Sequence, residues 1–347
     1  IVIITKADRA NSAQIESLIQ TIKQDYSFLR NANYFVTSAE TGQGINELRH
    51  YLANLAELAD TQKPFRYAID RVFSVKGAGT VVTGTAFSGT VKVNDEIYLS
   101  TGQKIRIKAI HAQNTSSEQG IAGQRLALNL NADLDRTPMK RGDWLLQNEP
   151  LPPTDRISVQ ILAEVPLNES QPVHIYHGAS RTTGKLTLLQ GKNAAKNDRT
   201  LAEIILDSPL FLAFGDKLIL RSGDTKTLIA GARVLEINSP KRHKRTEVRL
   251  NFLANLALAE NASQRIALTL LHNATTARQL MWTEQLTETQ LDQALSERGA
   301  VRYQDWCFNT NYIQEKTQQI LTALDTYHEQ HNDQLGVSKA RLYRMTA

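Results

Sequence analysis

Two short polar clusters near the start of the chain have the residue types and spacing to hold a nucleobase. Thr5-Lys6-Ala7-Asp8 closes the apolar run Ile1 to Thr5, and Thr37-Ser38-Ala39-Glu40 closes a second run, Asn33 to Thr37. Both runs read as strands of an open α/β unit, and such sheets gather ligands at the carboxyl ends of their strands. There the Asp8 carboxylate can accept from the paired N–H donors on the edge of a guanine, while the Lys6 stem lies along the base. The backbone N–H at Ala39 can donate to the guanine carbonyl, with Ser38 beside it. Each cluster alone also has the composition of an ordinary strand-ending turn.

A second set of charges lies in β-rich sequence. There Asp70, Arg71 and Arg125 are a carboxylate and two arginines with the composition of barrel-surface residues in ordinary ion pairs. His111 ends a strand in the same stretch and is expected to be a satisfied structural histidine. Farther along, Arg181, Lys185 and Arg221 have the composition of ordinary solvated basic positions. His174 and His177 stand at odd spacing and should face opposite sides of one strand, which argues against a shared metal. The single cysteine, Cys307, has neither a disulfide partner nor a Cys/His set with metal spacing, which fits a reducing compartment.

These groups need scaffolds of different kinds. With 347 residues the chain is long enough for several domains. Residues 1–62 alternate strand, helix (Asn11 to Ser27), strand and helix (Ile45 to Leu55), the pattern of a parallel α/β unit. A polar linker ending at Pro64 leads into residues 63–150, where short runs of Val, Ile and Thr are punctuated by glycines; Gly77 and Gly79 allow a tight turn between two strands. Three prolines between Asn148 and Thr154 separate this first expected barrel from a second at 151–240. Beyond the basic cluster Lys241-Arg242-His243-Lys244-Arg245 the periodicity becomes helical. One helix is expected over Glu247 to Leu271, then two more and a hairpin, Ala300 to Tyr303 with Trp306 to Asn309, which together predict a winged helix at 241–315. Ile313 to His331 reads as one long amphipathic helix, residues 316–347 are expected to start a second winged-helix module, and Gly336 to Ala347 is expected to lack a cap or core partner. A lone winged helix is by general expectation a DNA-binding module.

The net charge of +5 favours a polyanionic partner such as RNA. No apolar run approaches the roughly 20 residues of a membrane span, and no fixed-period repeat is present.

The run Ala68 to Asp95, with Ala109 to Asn114, Ala122 to Leu130 and Arg141 to Leu146, resembles the second domain of translational GTPases, and in particular the selenocysteine-specific elongation factor (SelB) family. Val173 to Lys185 and Gly215 to Arg221 resemble the third domain of these GTPases, and Leu324 to Asp333 resembles the helical extension of that family. The Thr5-Lys6-Ala7-Asp8 and Ser38-Ala39 clusters resemble GTPase guanine-specificity motifs, with Thr5 where asparagine is usual.

The resemblance implies a multidomain α+β protein: the end of an α/β GTPase domain, two EF-Tu-like β-barrels and a winged-helix extension. It implies a cytoplasmic, monomeric carrier, which binds GTP with Mg2+ and brings selenocysteyl-tRNA to the ribosome at recoded UGA codons. Thr5, Lys6, Asp8, Ser38 and Ala39 would contact guanine, and Asp70, Arg71 and Arg125 would surround the selenocysteine side chain. Arg181, Lys185 and Arg221 would touch tRNA. No phosphate loop occurs in the sequence, so hydrolysis is expected to depend on residues upstream, and recognition of an mRNA hairpin on residues downstream. Another EF-Tu-like or initiation-factor-like GTPase, a winged-helix regulator and a translation scaffold are the competing expectations.

Overall fold

A computed structural model of the chain describes residues 1–55, 60–77, 79–225, 227–271, 273–331 and 333–346. Ala78, in the expected glycine turn, and Ala347, at the end of the expected partnerless stretch, lie outside the described residues. Strands Val2–Ile4 and Tyr34–Val36 pair in parallel, with Ile4 opposite Val36. Helix α1 (Ser12–Asp25) starts at Asn11, whose side chain accepts from the Gln14 backbone while the Gln14 side chain returns to the Asn11 backbone. Helix α2 (Ile45–Ala53) starts after Gly44, at φ 67°, where a Cβ would lie 2.2 Å from the Val36 carbonyl oxygen. Only glycine fits that turn.

The first barrel is built from strands Arg66–Val75, Gly79–Ser88, Glu96–Leu99, Lys104–Ala112, Arg125–Leu130 and Trp144–Leu146, and it closes where Arg125–Leu130 pairs with Lys104–Ala112. Alternation sets its inside and outside: Ile105, Ile107 and Ile110 are buried, whereas Lys104, Arg106 and Lys108 are exposed. The hairpin Arg66–Val75/Gly79–Ser88 carries a bulge. Arg71 pairs with Thr83 and Ile69 with Gly84, leaving Asp70 as the extra residue. Gly84 permits this close approach, since a Cβ there would meet the Ala68 carbonyl oxygen at 2.0 Å.

The second barrel is a closed ring of Thr154–Ala163, Arg199–Leu210, Ser180–Leu188, Ser170–His177, Lys217–Ser222 and Leu228–Ile237. The two barrels share a buried polar junction. Arg66 donates two hydrogen bonds to Asp216, each 2.9 Å long, and the Trp144 ring packs against both the Arg66 guanidinium, at 4.9 Å, and the His177 ring, at 5.1 Å. Burial pushes the Asp216 carboxyl up, but Arg66 and then His177 outweigh it and hold it well below the usual carboxylate range.

The helical part corrects one expectation: Glu247 to Leu271 is two helices, α3 (Glu247–Leu258) and α4 (Ala262–Leu270). Asn261 caps α4 by accepting from the Gln264 backbone at 2.9 Å, and the Gln264 side chain accepts from the Glu260 backbone. The two helices also serve different cores. Leu253 and Leu256 of α3 pack with Leu189, Leu201 and Leu235 of the second barrel, whereas Ile266 and Leu270 of α4 pack with α5 (Ala277–Glu284) and α6 (Glu288–Ser296).

Helices α4 to α6 and the three-stranded sheet of Thr275–Thr276, Trp306–Asn309 and Ala300–Tyr303 form the winged helix. Its α5 docks on the second barrel. The Trp282 indole N–H donates to the Leu212 carbonyl at 3.0 Å, Phe214 N–H donates to Thr283 at 2.8 Å, and Arg265 pairs with Glu284 while covering the Phe214 ring. Helix α7 (Thr310–Gln330) follows. The closing stretch does have a partner: α8 (Lys339–Thr346) folds back on α7, with Arg341 over the Tyr327 ring at 4.7 Å. None of the described helices is long and apolar enough to cross a membrane.

Candidate functional sites

The parallel pairing brings the two N-terminal clusters to one sheet edge. Lys6 adopts a left-handed conformation, φ 60°, which turns the chain into a short 3-10 segment at Ala7–Arg9. Ala7 N–H donates to the Thr37 carbonyl at 3.0 Å, and Thr37 N–H donates to the Ile4 carbonyl at 2.7 Å. Buried Ser38 donates its hydroxyl to Asp8 Oδ1 at 2.5 Å and accepts from Thr41 N–H. That hydrogen bond is the main reason the Asp8 carboxyl lies below its ordinary value; slight burial opposes it, and Arg9 and Lys6 assist. Thr5 and Ala39 are exposed, and Ala39 N–H has no partner among the described residues. A carboxylate held ionised beside an open N–H is a donor and acceptor set that fits the edge of a guanine.

On the first barrel, the bulge aims Asp70 at Arg125, which lies on the strand opposite Thr85. The Arg125 guanidinium takes both Asp70 oxygens: Nη1 donates to Oδ2, and Nη2 to Oδ1 at 3.1 Å. Thr83 Oγ1 donates to the same Oδ1 at 2.8 Å. The bond from Arg125 is the largest influence holding the Asp70 carboxyl below its usual range, burial opposes it, and Thr83 and the charge of Arg71 add to it. The Arg71 side chain is exposed and forms no hydrogen bond or ion pair with the described residues. The site is thus a closed carboxylate–guanidinium pair with a second, uncommitted guanidinium beside it.

Two side chains there differ from expectation. His111 is exposed rather than a satisfied structural histidine, and it lines a surface cavity with Thr83, Gln113, Asn114, Gln124 and Arg125. It projects outward because the strand Lys104–Ala112 alternates and Ile110 occupies the inward position. Thr83 had no signal in composition. Counting back from the glycine turn pairs it with Arg71, but would set Asp70 across from Gly84, so only the bulge brings its hydroxyl to the carboxylate.

The outer face of the second barrel brings Arg181, Lys185 and Arg221 onto one surface. Tyr176 pairs with Arg181, Pro172 with Lys185 and His174 with Arg221. Arg181 contacts His174 Nδ1 at 3.3 Å and Arg221 donates to the Thr225 carbonyl at 3.0 Å, yet none of the three forms an ion pair with a described carboxylate. His174 and His177 do face opposite sides, the latter buried at the barrel junction. The basic cluster at 241–245 is partly consumed: Lys244 pairs with buried Glu203, and Arg245 with Glu169 at 2.7 Å. Among the described residues, no group of three or more His, Cys, Asp or Glu side chains could hold a metal ion.

Three family models match the chain. One described as the selenocysteine-specific elongation factor β-barrel domain covers residues 154–241, one for elongation factor Tu domain 2 covers 79–146, and one for an elongation factor SelB winged helix covers 321–347. The selenocysteine-specific elongation factor of Haemophilus influenzae is 96% identical over 345 residues, 99% of this chain and 56% of the relative. That of Escherichia coli is 39% identical over 349 residues, 99% of this chain and 55% of the relative. The chain therefore spans a little over half the length of the curated relatives it matches. A crystal structure of a bacterial selenocysteine-specific elongation factor, EF-Sec, superimposes with a TM-score of 0.74 at 22% identity, covering 99% of this chain and 56% of that one, which shows the fold. SelB from Methanococcus maripaludis, solved in complex with the GTP analogue GPPNHP, gives a TM-score of 0.58 at 25% identity over 69% of this chain and 59% of that one.

Proposed function

The chain belongs to the family of selenocysteine-specific elongation factors, and from that premise we propose that its first barrel receives the selenocysteine side chain of a charged tRNA. The observation that carries this is the pairing of Arg125 with Asp70, with Arg71 uncommitted next to it. A selenol ionises more readily than a thiol and is an anion at neutral pH, whereas the serine of the precursor tRNA is neutral. Guanidiniums favour the anion, and a site built for charge is left unsatisfied by a hydroxyl.

The remaining roles follow the same scheme. The edge formed by Lys6, Asp8, Ser38 and Ala39, with Thr5 beside it, would bind the guanine of GTP. GTP bound there would supply, through its hydrolysis, the free energy for committing and releasing the tRNA. Mg2+ would accompany the phosphates, and the described residues offer it no ligand set. Arg181, Lys185 and Arg221 would neutralise tRNA phosphates from the second barrel. In that role the intact factor is a GTPase that acts in the cytoplasm as a monomer and delivers selenocysteyl-tRNA to the ribosome at recoded UGA codons. The selenoprotein mRNA hairpin would be a further partner of the intact factor.

The test is Arg125→Ala in the full-length factor bound to a non-hydrolysable GTP analogue. Affinities for selenocysteyl-tRNA and its seryl precursor are measured side by side. The preference for the selenocysteyl form should fall by roughly tenfold or more. An unchanged ratio would remove Arg125 from the pocket.

A further inference from the structure

The guanidinium that should meet the anion is already engaged. Asp70 occupies both terminal nitrogens of Arg125, and Thr83 Oγ1 holds Asp70 Oδ1 from the neighbouring strand at 2.8 Å while lying 3.4 Å from Arg125 Nη2. Resting on the anion-site assignment above, we infer that the Asp70 carboxylate is a displaceable internal substitute for the selenolate, and that Thr83 is the positioning residue that keeps it closed on Arg125.

The charges support an exchange rather than simple addition. Asp70, Arg71 and Arg125 together carry one excess positive charge, since the Arg71 side chain has no partner among the described residues. An incoming anion that displaces Asp70 from Arg125 leaves two anions against two cations, with Arg71 adjacent to the released carboxylate. A neutral hydroxyl offers no such trade. Opening the pair for it would separate a charge-assisted, two-pronged interaction and put nothing equivalent in its place. Discrimination is then set by competition with an internal carboxylate, and the closed population sets how much of the intrinsic affinity is realised.

Thr83 is suited to tune that population. Its hydroxyl is carried on the strand opposite the bulge, at the one register where the extra residue Asp70 can reach it. The side chain is half-buried and borders the cavity next to Arg125. Thr83→Val removes the donor while keeping the side-chain volume, and Thr83→Ser keeps the donor.

Both variants are made in the full-length factor with a bound GTP analogue, together with Arg125→Ala. Thr83→Val should tighten selenocysteyl-tRNA binding roughly tenfold, leave seryl-tRNA binding unchanged, and revert in Thr83→Ser. Carbon-13 NMR of labelled aspartate should show the Asp70 titration moving up toward the ordinary carboxylate value in Thr83→Val and staying low in Thr83→Ser. Equal weakening of both tRNAs by Thr83→Val would make Thr83 a structural residue and overturn the inference. No change in either affinity, with the preference still lost in Arg125→Ala, would overturn the latch and leave the anion site standing. If Arg125→Ala also keeps its preference, both ideas fail together.

Discussion

The second barrel and the winged helix treat their cations in opposite ways. On the barrel face, Arg181, Lys185 and Arg221 stand clear of any described carboxylate. Residues 247–309 contain five arginines, no lysine and seven carboxylates, and every arginine is tied to protein. Arg249 pairs with Glu236, Arg265 with Glu284, Arg278 with Glu149 and Arg302 with Glu288 and Asp292, while Arg298 donates to Ser263 Oγ. The general expectation that a winged helix binds DNA does not fit such a surface. Its second helix is spent on docking to the barrel and its third carries Glu288 and Asp292. What separates the two surfaces is whether the cations are committed, not how many there are.

The largest expected effect comes from breaking the dock. Trp282 is buried among second-barrel residues and donates to Leu212. Trp282→Ala should lower stability by about 3 to 5 kcal/mol, read by urea unfolding, and should expose the 259–261 connection to protease. A variant as stable as the parent would mean that the module is not held there.

Next come the two buried carboxylates that tie arginines at the interfaces. Asp216 lies well below the usual carboxylate range, because Arg66 and His177 outweigh its burial, whereas burial raises Glu284 in spite of Arg265. Asp216 therefore contributes stability that is present above the unfolded carboxylate pKa of about 3.9 and is lost as pH falls through its lower native value. Glu284 has the opposite sign: its native state favours the protonated acid, so its contribution is lost as pH rises through its raised value. Asp216→Asn should cost about 3 kcal/mol at neutral pH and flatten the acid limb of stability. Glu284→Gln should change stability at neutral pH by under about 1 kcal/mol. Equal losses in the two variants would show that the surrounding cations do not decide the sign.

How much of this could be read from residue order follows from the range of the forces involved. Strand alternation, the glycine turns and the caps are local, and residues such as Ile105, Ile107 and Ile110 announce their side of the barrel. The break before α4 was also legible in Asn261 and Gln264, but helical periodicity on both sides hides it until two separate cores are seen. The bulge at Asp70 depends on a close approach across Gly84, and Trp282 looks like a core residue of its own helix until a second domain claims it. Among the candidate site residues, Asp70 and Arg125 stood out as charges. The Thr83 hydroxyl and the exposed His111 did not, because both depend on strand register.

The free cations give a smaller, purely electrostatic effect. Replacing Arg181, Lys185 and Arg221 together by alanine should leave stability within about 0.5 kcal/mol per site. The same change should make tRNA binding by the full-length factor less salt-dependent, by about 0.7 to 0.9 in the log–log slope for each phosphate no longer neutralised. An unaltered slope would show that the barrel face does not meet the phosphates, and the contrast with the winged helix would lose its functional half.

The smallest effect tests whether pairing alone silences the winged helix. Arg302 is held by Glu288 and Asp292 at 3.0 and 3.4 Å on the surface, so Glu288→Gln with Asp292→Asn should cost no more than about 1 kcal/mol. The double change takes residues 247–309 from two excess negative charges to none and releases one guanidinium. A single free cation neutralises at most one phosphate, so affinity for a short RNA duplex should rise only about threefold at low salt, a gain that vanishes at physiological salt. A gain that matches the loss seen on alanine replacement of the barrel cations would mean that ion pairing had masked a nucleic-acid surface already shaped by the fold. The small gain expected instead fits a module whose helix α5 is docked on the second barrel, with buried Trp282 and partly buried Phe214 at the contact.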